Sequence, residues 1–160
     1  MHFCDRKGQR RQGVRIYLDT CCLNRPFDDQ TQIVVHLETQ AILYIQKQIS
    51  QGIYDLVWSY MLDYENSKNP YEEKKRSISL WHDVSTVKIL KSNEDILSYA
   101  EELELIGLTA YDALHIACAA YAECDYFITT DKKILNKSID RLVAVNPVEF
   151  VSKMEESYEG

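Results

Sequence analysis

Short apolar runs alternate with longer amphipathic stretches along nearly the whole chain, and this alternation narrows the folds open to it. VRIYL from Val14, YDLVWS (54–59), STVKILK (85–91), DYFITT (125–130) and LVAVN (142–146) have the length and the β-branched or aromatic content of strands. Between the first two, Val34, Leu37, Ala41, Tyr44 and Ile45 recur at three- and four-residue steps, which predicts a helix capped by Asp28 or Asp29 and stopped by Gly52. The intervening TCCLNRPFDD reads as a polar loop, because Pro26 blocks helix continuation. YMLDYENSKN predicts a short helix ending before Pro70, and PYEEKKRSISLWHD restarts with proline in its first turn. Asn93 caps EDILSYAEELELI, with Ile96, Leu97, Ala100 and Leu103 facing inward and Gly107 as the stop. Thr109 and Asp112 resemble a capping box opening TAYDALHIACAAYAEC, whose alanines suit close packing on a sheet. DKKILNK and PVEFVSKMEES complete the helices. Strands separated by helices in this way call for a largely parallel α/β sheet with right-handed crossovers.

At 160 residues and 46% hydrophobic content the chain has the material for one core. Residues 14 to 160 read as a single domain, preceded by a basic leader, residues 1 to 13, expected to be unstructured. The first fifteen residues carry +4 in a chain of net −7, so residues 16 to 160 carry −11. Such a body repels a phosphate backbone unless cations intervene. The longest uncharged apolar stretch, Ala113 to Ala122, is ten residues and cannot span a bilayer, and no secretory cleavage pattern follows the leader. A cytoplasmic protein without membrane association is expected. Its five cysteines have neither disulfide-framework nor zinc-site spacing, and packing is their expected role.

In parallel sheets, ligands bind beyond the carboxyl ends of the strands. Asp19 and Asp131 follow two predicted strands, Asp112 opens a helix, and Glu65 falls on the helix after YDLVWS. Four carboxylates at one edge would repel, and a hard divalent cation resolves the repulsion while retaining sites for water and phosphate. Two ions about 3.5–4 Å apart are suited to phosphodiester hydrolysis. Each acid also has a local reading: Asp112 and Asp131 as helix caps, Glu65 as a solvated side chain.

LDT (18–20), the helical Glu65, AYDALHIA (110–117) and FITTD (127–131) together resemble the PIN-domain nucleases over residues 14 to 150. The resemblance implies a three-layer α/β/α sandwich with a central, mostly parallel twisted sheet. It further implies cleavage of RNA, single-stranded in the working hypothesis, with Mg2+ or Mn2+ held by Asp19, Glu65, Asp112 and Asp131. The toxin of a toxin–antitoxin pair, a small antitoxin partner and a homodimer are implied in the same way. Cysteines directly after the first motif depart from the family's commoner small followers. Thr20 and Thr130 are candidates to orient a carboxylate or water, and Asn24 and Arg25 to contact substrate, although Asn24 also suits a turn and Arg25 a surface charge.

The alternatives are fewer. Cys21 occupies the place where a haloacid-dehalogenase-type hydrolase needs a second acid, and the five glycines form no phosphate-binding loop. No GxSxG is present. A degenerate domain that binds RNA or protein without cutting is the rival from another class. His115 beside Cys118 reads as core packing, and Lys74, Lys75 and Arg76, following Glu72 and Glu73, read as a solvated helix face. Trp58, Trp81 and the eleven tyrosines define no base-stacking platform by position alone.

Overall fold

The computed structural model describes the backbone of residues 2–4 and 10–159 and the side chains of residues 13–156. In the leader, β1 (His2–Cys4) pairs antiparallel with β2 (Arg10–Gln12). Over these six residues the leader is paired strand and not the unstructured segment expected, and its residues 1 and 5–9 lie outside the described residues.

Each predicted strand forms. They are β3 (Val14–Leu18), β4 (Tyr54–Ser59), β5 (Val87–Ile89), β6 (Tyr126–Ile128) and β7 (Val143–Val145). All pair in parallel, in the order β5-β4-β3-β6-β7. The chain therefore builds outward from β3 through β4 to β5, then returns to the other side of β3 with β6. That reversal creates a crevice between the carboxyl ends of β3 and β6, where an open parallel sheet binds its ligands.

The helices are α1 (Thr20–Asn24), α2 (Ile33–Ser50), α3 (Tyr60–Ser67), α4 (Glu72–Val84), α5 (Glu94–Leu105), α6 (Ala110–Tyr121), α7 (Lys132–Leu135) and α8 (Pro147–Glu159). Strand alternation assigns them to two layers. Tyr17 and Phe127, paired across β3 and β6, stack at 5.2 Å on the face that meets His115 of α6. On the opposite face Tyr54 and Tyr126 meet Phe150 of α8 edge-on, and α8 packs on α2. The arrangement is a three-layer α/β/α sandwich. Val57, Ile16, Tyr17, Phe127, Ile116 and Ala113 are fully enclosed at its centre.

Five local expectations change. The segment after Asp19 is α1 followed by a 3-10 turn at Arg25–Phe27, not a loop; Asp19 caps it, and Pro26 sits in the first positions of the 3-10 turn, where no donor is required. Helix α2 begins at Ile33 after Gln32, not at Asp28 or Asp29, because Asp28 binds Arg25 and Asp29 accepts from Thr31. Its inward face is also rotated from the expected one. Val35, Glu38, Thr39, Ile42, Ile45, Gln46 and Ile49 are buried, while Val34, Leu37 and Tyr44 are exposed. The buried Glu38 explains the shift: it pairs with Arg25 at 3.3 Å and accepts from Asn146 at 2.7 Å, so a polar position faces the core. Leu97 is likewise exposed, although Ile96, Ala100 and Leu103 of α5 are buried as expected. Pro70 lies before α4, which starts at Glu72.

Gly13 introduces β3 at φ +84°, and a Cβ there would stand 2.8 Å from the Ile53 carbonyl oxygen. Both the backbone angle and the close approach require glycine. Gly13→Ala is expected to destabilise the fold by about 1–3 kcal/mol in urea unfolding; an unchanged midpoint would show that the entry to β3 can relax.

Candidate active site

Asp19 is the residue at which the central strand becomes a helix. Its backbone N–H still donates to Ile128 of β6 at 3.0 Å, while its carbonyl already accepts from Cys22. Its Oδ1 accepts from Thr20 N–H at 2.8 Å, and its Oδ2 accepts from the Thr129 hydroxyl at 2.8 Å and more distantly from Cys21 Sγ. The side chain is buried, and burial raises its pKa despite opposing contributions from His115, Thr129 and Thr20.

The other acids surround this anchor by different routes. The Thr20 hydroxyl donates to Glu65 Oε1 at 3.1 Å, which ties α1 to α3. The same oxygen meets His115 Nε2 from α6. Half-burial works against the Glu65 carboxylate, but these contacts hold its pKa below the ordinary range. Asp131 caps α7 through Oδ1 and Lys133 N–H, and its own N–H donates to Thr129 Oγ1 at 3.1 Å. Thr129 thus bridges Asp19 and Asp131. Asp112 stands in the first turn of α6, with its N–H donating to Thr109 Oγ1. Its pKa is raised by burial first, then by the charges of Asp19 and Asp131, with Thr109 opposing.

Behind Glu65 a chain of hydrogen bonds enters the core. His115 Nδ1 lies 2.6 Å from the Tyr17 hydroxyl, which lies 2.6 Å from Ser59 Oγ. Nε2 of His115 thus faces the Glu65 carboxylate, and Nδ1 shares a hydrogen bond with the Tyr17 hydroxyl. Burial raises the Tyr17 pKa well above the usual tyrosine range, so the phenol remains a donor. His115 is buried as expected of a core residue, but it is a hydrogen-bonded support of an acid as well as a packing element.

The secondary candidates separate. Thr20 contacts both Asp19 and Glu65. Thr130, expected to orient a carboxylate, instead accepts from Arg25 Nη2 at 2.8 Å; Thr129 takes the orienting position. Strand alternation would have identified it, since Thr129 continues the Phe127 face as Asp19 continues the Tyr17 face. Arg25 also binds Asp28 at 3.1 Å and Glu38 at 3.3 Å, so its guanidinium is held among side chains of the fold. Asn24 lines a pocket of about 190 Å³ beside Thr20 and Glu65.

Among the described residues, no three His, Cys, Asp or Glu side chains stand ready-made around one metal position. The donor chemistry nevertheless fits a hard divalent ion. Asp112, Asp19 and Asp131 are oxygen donors whose like charges act on one another, which is the situation a dication relieves. Glu65 is the exception, its Oε1 being engaged by His115 and Thr20.

The sequence matches the PIN-domain family over residues 16–139. A comparison with curated proteins by sequence matches none of them. Among solved structures, a chain of VapBC2 from Rickettsia felis, crystallised with a DNA fragment from the promoter, superposes with a TM-score of 0.55. Identity is 16%, and the match covers 83% of this chain and 98% of that one.

The raised Asp112 pKa has a thermodynamic consequence. Its contribution to folding is complete below the unfolded carboxylate pKa and is lost as pH rises through the raised folded value. In metal-free protein, Asp112→Asn should therefore raise the melting temperature at pH 7 by about 1–2 °C, screening being strong at a half-exposed site. The gain should vanish near pH 3 in a thermal scan; an equal shift at both pH values would assign it to the cap.

Proposed function

The chain belongs to the PIN-domain family, whose members are generally metal-using nucleases, and on that footing we propose that it is an endoribonuclease requiring Mg2+ or Mn2+. The reading is supported by Asp19 and Asp131, which follow β3 and β6 and are linked through Thr129, and by Asp112 in the first turn of α6, whose carboxyl feels the charges of both. These three aspartates would hold the ion, and Glu65 would join them on its face away from His115. When bound, the ion supplies charge neutralisation for the phosphate and polarisation of a water. The protein's own groups do the positioning. Thr20 and Thr129 fix the Asp19 carboxylate, and His115 fixes Glu65.

RNA as the substrate and a toxin role opposed by a small antitoxin follow from the family resemblance. The neighbouring VapBC2 structure supports the toxin reading through its fold. A homodimer in the cytoplasm belongs to the same proposal. Ile33, Val34 and Leu37, exposed at the start of α2, support a protein partner of some kind, and no described helix is long and apolar enough to cross a membrane. The engagement of Glu65 with His115 favours one alternative, a non-cutting domain in which that acid has become structural.

Asp19→Asn and Asp112→Asn should each lower Mn2+-dependent RNA cleavage more than about 100-fold while folding normally, since even indirect partners of a metal cost about 10–100-fold. Calorimetry should show saturable Mn2+ binding by chelator-treated wild type and its loss in Asp112→Asn. Undiminished cleavage by both variants would refute the metal assignment, and a folded wild type that cuts no RNA would leave the binding-module reading.

A further inference from the structure

Two exposed tyrosines flank the acidic crevice, each directly preceding one of its acids. Tyr64 precedes Glu65 on α3, and Tyr111 precedes Asp112 on α6. Their hydroxyls lie 3.4 Å apart, and their ring centroids are 5.9 Å apart at 51°. They are 42% and 51% exposed, so ring surface faces solvent beside the acids. Lys68 Nζ sits 4.3 Å from the Tyr64 ring centroid, and the charge of Glu65 acts on both Lys68 and Tyr111.

The same pattern continues on the other side of Glu65. Lys68 and Lys74 line the 190 Å³ pocket with Asn24, and Lys74 lies over the exposed Phe27 ring. Aromatic rings and ammonium groups thus stand side by side along one rim, in a body that otherwise carries a large negative charge. Such a rim suits single-stranded nucleic acid, whose bases stack on rings while its phosphates meet cations. A duplex would keep its bases stacked inside and leave the rings unused.

We propose that Tyr64 and Tyr111 form a stacking platform for an RNA base next to the scissile phosphate, with Lys68 and Lys74 meeting the flanking phosphates. The inference takes its substrate from the nuclease reading, yet the platform binds without metal and can be tested apart from cleavage. The probe is a fluorescein-labelled oligouridylate of about ten nucleotides, within the span of single-strand binding sites, followed by anisotropy in EDTA at low salt. Tyr111→Ala and Tyr64→Ala should each weaken binding about fivefold or more, as loss of one stacked base does. Tyr111→Phe, which keeps the ring, should bind within about twofold of wild type, and circular dichroism checks folding of each variant. An abasic strand of equal charge should bind wild type as weakly as the alanine variants bind the intact probe.

Intact-probe binding unchanged in both alanine variants, equal affinity for the abasic strand, or no binding by folded wild type would each overturn the platform. Cleavage with Mn2+ is the separate arm. Ring-dependent binding by a wild type that cuts nothing would overturn the nuclease reading alone, whereas normal cutting and normal binding by both alanine variants would overturn the platform alone.

Discussion

The hydrogen bond between the Thr129 hydroxyl and the Asp19 carboxylate closes the crevice around which the molecule is arranged. A buried carboxylate is costly unless its lone pairs are satisfied. Asp19 meets that requirement with donors from two directions, Thr20 N–H at the head of α1 and Thr129 at the end of β6. The first donor is local to the turn from β3 into α1, and the second depends on β6 pairing beside β3. The sheet order is therefore inseparable from the chemistry of one side chain, and the apolar alternation that builds the sheet also places the acid.

That alternation made the sheet legible. Strands are short, doubly covered and apolar, and their boundaries follow from residues such as Asp19 that change the polarity abruptly. Helix α2 was less legible, because its inward face holds Glu38, Thr39 and Gln46. Periodicity assumes that burial selects apolar residues, and it fails where a buried ion pair such as Arg25–Glu38 fills the position. The same pair explains Arg25. Sequence shows a cation in a loop near an acid, but only the fold reveals two carboxylates and a threonine competing for it.

The acids themselves were visible by type and place, and what escaped were their supports. Thr129 and Thr130 are equivalent as letters, and only strand parity distinguishes them. By sequence His115 reads as packing because it lies on an alanine-rich helix, and it is indeed buried. Its hydrogen bond to Glu65 joins residues fifty apart in the chain, a pairing no local pattern encodes. The aromatic rim has the same origin: Tyr64 and Tyr111 come together because α3 packs on α6.

The hydrogen-bonded file Glu65, His115, Tyr17, Ser59 ties the rim of the crevice to the interior of the sheet. Ser59 ends β4 and touches none of the aspartates, yet its hydroxyl helps determine which way the Tyr17 hydroxyl points. The four positions therefore form one unit of inheritance. A lineage that replaced the serine by alanine, or the tyrosine by phenylalanine, would leave a ring nitrogen or a phenol without its partner and would be pressed to change the others with it. Among descendants of this sequence, the four should vary together or not at all, although each hydrogen bond of the file joins residues at least 42 apart in the chain.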